Sequence, residues 1–197
     1  IPKEKTAYVV NQVCGSGLRS IASGFQSIKA GDSKIVITGG QESMSLAPHA
    51  VHLREGKKLG DTQIIDTMIK DGLWDAFHGY HMGVTAENVA TKFQVTRDDQ
   101  DEFALNSQNK ALQAQKDNKF NEEIVNLKIK SKNAEIDFNK DEHPREGINL
   151  ETLTKLKPVF KKDGTVTAGN ASGINDGAAA VTLMSDEEAK KRNLEKL

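Results

Sequence analysis

The chain has 197 residues, 37% of them apolar and 28% charged, a globular balance with room for one sizeable domain or one domain with an insertion. A net charge of −1 gives no overall field to gather nucleic acid or an anionic membrane, so neither is expected as a partner. No apolar run approaches the ~20 residues of a membrane span and no secretory signal is seen; because residue 1 is Ile rather than Met, the chain is expected to start inside a longer gene product or after processing.

Thr6 to Val13 has the composition of a strand. Gly15 to Ala30 places Leu18, Ile21, Ala22, Phe25 and Ile28 at helical spacings, and Gly31 is a natural stop just beyond the last turn. Lys34 to Thr38 is a short β-branched run with little alternation, the pattern of a strand buried on both faces. Strand, helix and strand with tight connections predict a right-handed parallel βαβ unit. The next stretch is more polar. Thr85 to Phe93 reads as a helix, and Thr96 with Asp99 reads as a capping box before a long helix whose Phe103, Ala104, Ala111 and Leu112 face inward. Glu123 to Lys130 alternates like a half-buried strand, and Lys140 to Gly147 is loop. From Val166 the texture turns Gly- and Ala-rich and then apolar, and Ser185 with Glu188 caps a last helix at Asp186 to Leu194. The expected organisation is an α/β layer at 1–44, an inserted α+β domain at 45–165, and a return to the layer at 166–197.

Cys14 is the sole cysteine. That excludes an internal disulfide framework and a Cys-based zinc site, and it fits a reducing, cytoplasmic setting. Two readings remain, a small buried hydrophobe or a reactive thiol. The residue falls where the strand meets the helix. A helix N-terminus offers partial positive charge and unpaired N–H groups, both of which favour the thiolate, the nucleophilic form of cysteine. Gly15-Ser16-Gly17 keeps bulk away from the approach to the sulfur, an arrangement with the logic of a nucleophile elbow.

Three segments carry a family resemblance. Val10-Asn11-Gln12-Val13-Cys14-Gly15-Ser16-Gly17-Leu18-Arg19-Ser20-Ile21, followed by Ile28, resembles the active-site signature of the thiolases. Gly169 to Ala180 (GNASGINDGAAA) resembles the thiolase segment that leaves the inserted domain and forms part of the pantetheine tunnel. Gly79 to Asn88 (GYHMGVTAEN) resembles the biosynthetic, acetoacetyl-CoA branch. The three stand in the family's order and together span essentially the whole chain.

The resemblance implies a layered α/β/α fold, of which this chain is the N-terminal half with its inserted loop domain. It implies transfer of an acetyl group between CoA thioesters, with two acetyl-CoA giving acetoacetyl-CoA and CoA. Cys14 would carry the acyl group and lend its backbone N–H to one oxyanion site. Ser172 would touch the pantetheine arm, Leu73, His81, Met82 and Phe160 would line the tunnel, Arg145 would sit near the adenine end, and Ala168 would be a further CoA contact. CoA and acetyl-CoA enter as substrates; no cofactor and no metal are implied. A homodimer or homotetramer is expected, the inserted domain contributing to tetramer contacts.

Plainer readings stand beside these. Met82 and Phe160 also suit a core, His81 a satisfied half-buried histidine, Ser172 a loop serine, and Arg145 an ion pair with Asp141, Glu142 or Glu146. His49, His52 and His78 have no motif and read as surface or packing residues; His78 and His81 could share a helix face, but no carboxylate at matching spacing completes a metal site. The chain departs from the family in one respect. It has no Gly-His-Pro histidine and no second cysteine, so the chain alone is expected to turn over poorly or not at all. The rival readings are a long-chain 3-ketoacyl-CoA thiolase and a truncated form that binds CoA or a lipid without catalysis. A ketoacyl synthase or hydroxymethylglutaryl-CoA synthase would share the cysteine, but the long insertion with His81-Met82 argues against both.

Overall fold

A computed structural model describes residues 1–132 and 134–195, so the last two residues of the expected 166–197 segment lie outside it. In chain order the elements are α1 (Ser16–Ala30), β1 (Ile35–Ser43), β2 (His49–Ala50), β3 (Ile65–Asp66), a π-helical turn (Met68–Leu73), α2 (Met82–Phe93), α3 (Arg97–Lys116), β4 (Leu127–Lys130), β5 (Glu135–Phe138), α4 (Leu150–Thr154), β6 (Asp176–Met184) and α5 (Asp186–Lys191). They group into two compact units, Ile1–Gly72 with Ile174–Leu197, and Leu73–Gly173. No helix among the described residues is long and apolar enough to cross a membrane.

In the first unit β1 pairs antiparallel with β6, in register from Ile35 opposite Met184 to Ser43 opposite Asp176. α1 lies against this pair, and Gly24 is its point of closest approach. A Cβ placed there would stand 2.5 Å from Thr38 Cγ2 and 3.1 Å from Leu183 Cδ1, so only glycine lets helix and strand meet. Ser20 ties the first turns of α1 to the strand: its Oγ accepts from Gly39 N–H at 3.0 Å and lies 2.9 Å from Gly39 O. The C-terminus of α1 closes as expected, with Gly31 left-handed at φ 83 and its N–H bonded to Ile28 O. At the far end of the sheet, the Asp176 carboxylate accepts from both Ser45 N–H and Ser45 Oγ.

Several expectations for this unit fail. Residues 6–13 form no strand: Tyr8 and Val9 are exposed, and no neighbouring strand among the described residues offers the segment a ladder. With no first strand there is no parallel βαβ unit, and the partner of β1 is the sequence-distant, antiparallel β6. Nor is β1 buried on both faces. Thr38 beneath α1 is buried, while Ile37 on the opposite face is 53% exposed, because one helix covers only one side. α5 ends at Lys191 rather than Leu194, Asn193 being left-handed just after it.

In the second unit α2 and α3 take the expected positions. Thr96 and Asp99 form the reciprocal capping box, Thr96 Oγ accepting from Asp99 N–H while the Asp99 carboxylate accepts from Thr96 N–H. The inward face of α3 differs from expectation. Asp101 is fully buried, while Phe103 is 78% exposed. Ala104, Ala111 and Leu112 are half-buried as their spacing suggests, so the inward stripe passes through Asp101 and misses Phe103. The core here is small: Leu153, Val166 and Ala90 are buried together with the polar Thr167, Asp101 and Glu87. Only Leu127–Lys130 of the expected 123–130 strand pairs, with β5, in an exposed hairpin.

Candidate active site

Cys14 belongs to the first unit and is exposed, with its thiol free. The turn that presents it is held by local side chains. Asn11 Oδ1 accepts from Val13 N–H at 2.9 Å. Ser16 Oγ accepts from Gln12 N–H at 2.8 Å and donates to Val13 O at 2.7 Å. Gly15 N–H closes the turn on Gln12 O at 3.0 Å. Within this clasp Val13 has φ 48, in the left-handed region, which for a β-branched residue stores roughly 1–3 kcal/mol of strain. α1 begins two residues after the cysteine. Its N-cap Gly15 offers no side-chain acceptor and its first turn holds no acidic residue, so the helix sets no carboxylate of its own against its positive end.

The seven residues expected to contact CoA all fall in the second unit. Leu73 ends the π-helical turn, and a loop then returns at an isolated bridge between Trp74 and His81, with Asp75 N–H bonded to Tyr80 O at 2.8 Å. The Asp75 carboxylate braces the loop by accepting from Phe77 N–H (2.9 Å) and contacting the His78 ring (2.7 Å). These bonds, the Phe77 N–H foremost, hold its carboxyl below the usual aspartate range. His78 therefore lies in a turn, and His81 is the N-cap of α2, so they share no helix face. His81 Nδ1 accepts from Gly83 N–H at 3.0 Å, which leaves Nε2 as the nitrogen that can carry the proton of a neutral ring. The imidazole stacks on Phe160, ring centroids 4.7 Å apart and planes 18° from parallel. Phe160 in turn lies over Gly83, where any Cβ would strike its ring. Met82, the first residue of α2, is partly exposed beside them. His81 and Phe160 thus form one stack over the start of α2, with Met82 next to His81 in sequence, and His81 is bonded at Nδ1 and keeps one nitrogen for other work.

Ala168 and Ser172 are exposed on a loop whose other residues are anchored. Val159 N–H bonds Val166 O at 3.1 Å and so links the loop to the neighbour of Phe160. The Glu87 carboxylate accepts from Thr165 N–H and Val166 N–H, both at 2.8 Å, and from Thr165 Oγ at 3.1 Å. Asn170 donates to Asp101 at 3.0 Å and accepts from Thr167 N–H at 2.8 Å. Asp101 pairs with Arg97 at 2.7 Å, and Arg97 also donates to Leu153 O and Leu156 O. Arg145 is exposed, its N–H bonded to Gln108 Oε1 at 2.9 Å. Its guanidinium has no ion-pair partner among the described residues, Glu146 being paired with Lys140 instead at 2.8 Å. The same loop meets Gly173: a Cβ there would stand 2.7 Å from His143 Cε1.

The residues that sequence reasoning missed are the anchors Glu87, Arg97, Asp101, Thr167 and Asn170. A signal was present for two of them. Glu87 stands three residues from Val84 and from Ala90, and Asp101 shares a helical stripe with Ala104 and Leu105, so each is a carboxylate on an otherwise small or apolar face. No group of three or more His, Cys, Asp or Glu side chains among the described residues is placed to hold a metal.

Residues 1–187 match the family "Thiolase, N-terminal domain". The chain is 58% identical over 197 residues to an acetyl-CoA acetyltransferase of Rhizobium meliloti (strain 1021), covering all of this chain and 50% of that protein. The crystal structure of the Bacillus anthracis acetyl-CoA acetyltransferase superposes with a TM-score of 0.89 at 44% identity, over 100% of this chain and 50% of that one. The human mitochondrial 3-ketoacyl-CoA thiolase superposes with a TM-score of 0.90, also at 44% identity, over 98% and 49%. The chain spans about half the length of the curated relatives it matches.

Proposed function

The chain belongs to the thiolase family through the N-terminal domain, and from that premise we propose that it carries the acyl-accepting cysteine and part of the CoA site of an acetyl-CoA acetyltransferase. The observation that carries the reading is Cys14, an exposed thiol on a strained, clasped turn at the start of α1, within the family signature. The Cys14 thiolate attacks the carbonyl carbon of acetyl-CoA, the bond to the CoA sulfur breaks, and CoA leaves. A second acetyl-CoA loses a methyl proton, and its carbanion attacks the acetyl-cysteine. The thiolate of Cys14 departs as acetoacetyl-CoA forms. The covalent intermediate divides one difficult condensation into two easier steps, and the Cys14 N–H serves one of the oxyanions that develop.

On the CoA side we assign Leu73, His81, Met82 and Phe160 to the pantetheine tunnel, Ala168 and Ser172 to the arm itself, and Arg145 to the adenine end. These residues belong to the loop domain read at 45–165 and to the start of the segment that follows it. The His81–Phe160 stack supports the first group, and the Arg145 guanidinium, without an ion-pair partner among the described residues, supports the last. A cytoplasmic setting and a dimeric or tetrameric assembly go with this reading. These 197 residues hold one cysteine and no Gly-His-Pro run. The chain alone is therefore expected to turn over slowly, since general-base help is worth roughly 10²–10⁴-fold.

Exchange of labelled CoA into acetyl-CoA tests the proposal, because it requires an acyl-enzyme but no condensation. Exchange by the wild type and none by Cys14→Ser is the expected result. Exchange undiminished in Cys14→Ser would overturn the assignment, and CoA binding without any exchange would favour a non-catalytic CoA-binding role. A second reading, a thiolase for longer 3-ketoacyl-CoA substrates, has the equal backbone likeness to the human mitochondrial enzyme in its favour. Thiolysis of acetoacetyl-CoA set against that of a long-chain 3-ketoacyl-CoA separates the two.

A further inference from the structure

The deeply buried carboxylates of the second unit have no role in the acyl-transfer chemistry above. Glu87 is 4% exposed and Asp101 0%. A carboxylate is costly to bury and persists only where its oxygens are fully bonded. Glu87 gives both its oxygens to one short segment, and Asp101 gives it one. Glu87 takes the N–H groups of Thr165 and Val166 and the Thr165 hydroxyl. Asp101 takes Asn170 Nδ2, while Arg97 secures its other oxygen. The segment belongs to no strand ladder, so these side chains supply the acceptors that a sheet would otherwise provide. Thr167, fully buried between the two anchors, adds a bond from Gly169 N–H to its Oγ at 3.2 Å.

We propose that Glu87 and Asp101 are positioning residues for CoA, fixing the 165–172 segment so that Ala168 and Ser172 meet the pantetheine arm in one set place. The proposal rests on the reading of those two residues as CoA contacts. Its reach is limited to the second unit, so Cys14 reactivity serves as an internal control. Glu87→Gln keeps the size of the side chain but turns an amide N–H₂ toward backbone donors. Asp101→Asn likewise sets a donor against Arg97 or Asn170.

The test is isothermal titration of CoA into wild type, Glu87→Gln and Asp101→Asn, with thermal unfolding to establish the folded fraction. It is joined by KM and kcat for acetyl-CoA and by the rate of Cys14 alkylation with iodoacetamide. Each variant is expected to bind CoA about ten-fold more weakly or worse, with KM raised and kcat changed by no more than about three-fold, since a misplaced contact segment weakens binding without touching the nucleophile. Cys14 alkylation is expected within about two-fold of wild type, its turn being held by its own local bonds. Folded variants that bind CoA as the wild type does would overturn the positioning role alone. A wild type that binds no CoA would remove the CoA reading with it. If Glu87→Gln fails to fold, Thr165→Val replaces it, removing one bond to Glu87 and one from Gln100. A loss of about three-fold in CoA affinity is then expected, and an unchanged affinity counts against the proposal.

Discussion

The Cys14 turn and the 165–172 segment are both loops that present candidate contacts at the surface, but they are held in opposite ways. The cysteine turn is clasped by its own neighbours, Asn11 and Ser16, through bonds that span at most four residues. The 165–172 segment is clasped by Glu87 and Asp101, 78 and 69 residues away from the groups they bind. A locally encoded turn keeps its shape as long as α1 stays on the sheet. The other loop has its shape only when α2 and α3 are in place, so its geometry is a property of the packed unit. The proposed nucleophile thus stands on local structure, while the proposed CoA contacts Ala168 and Ser172 stand on tertiary structure.

The comparison can be broken most forcefully at Asp101. Asp101→Ala leaves Arg97 without its carboxylate and takes from Asn170 one of its two acceptors, Thr165 O being the other, in a buried site. It is expected to destabilise the second unit by about 3–5 kcal/mol in denaturant unfolding. Gly24→Ala probes the first unit. With a Cβ 2.5 Å from Thr38 Cγ2, α1 must lift from the sheet, and a loss of about 1–3 kcal/mol is expected together with slower Cys14 alkylation. Ser16→Ala removes two exposed bonds from the clasp and is expected to cost about 1 kcal/mol or less, while slowing acylation by freeing Val13 from its left-handed conformation. The smallest effect is electrostatic. Bonds from the Thr96 hydroxyl and N–H hold the exposed Asp99 carboxyl below its ordinary 3.8. Because its folded pKa is depressed, its contribution is present above that value and is lost as pH falls through the folded pKa. Asp99→Asn should therefore lower stability slightly at neutral pH, leave it little changed below the folded pKa, and so flatten the acid limb of a stability–pH curve.

How much was legible follows the same division. The α1 boundaries, the Gly31 stop, the Thr96–Asp99 box and the Ser185 cap were readable because each is decided within a few residues. The strand read at 6–13 was not a strand, since composition cannot supply a ladder partner, and the partner of β1 lies beyond residue 175. Apolar spacing alone points Phe103 inward, since it gives no weight to a polar neighbour. The true stripe runs through Asp101, whose burial makes sense only once Arg97 and Asn170 are seen beside it. At the candidate site, the signature pointed to Cys14 and to residues around His81 and Ser172. The carboxylates behind them leave only a faint mark in sequence, a charge on an otherwise small or apolar face, and their partners at 165–170 lie too far along the chain for spacing to join them.

The central claim is that Cys14 accepts the acyl group, and peptide mapping by mass spectrometry after a brief incubation with acetyl-CoA and an acid quench tests it most directly. One acetyl group is expected on the peptide that contains Cys14, released by neutral hydroxylamine and absent in Cys14→Ser. Acetylation found only elsewhere in the protein, or persisting in Cys14→Ser, would contradict it.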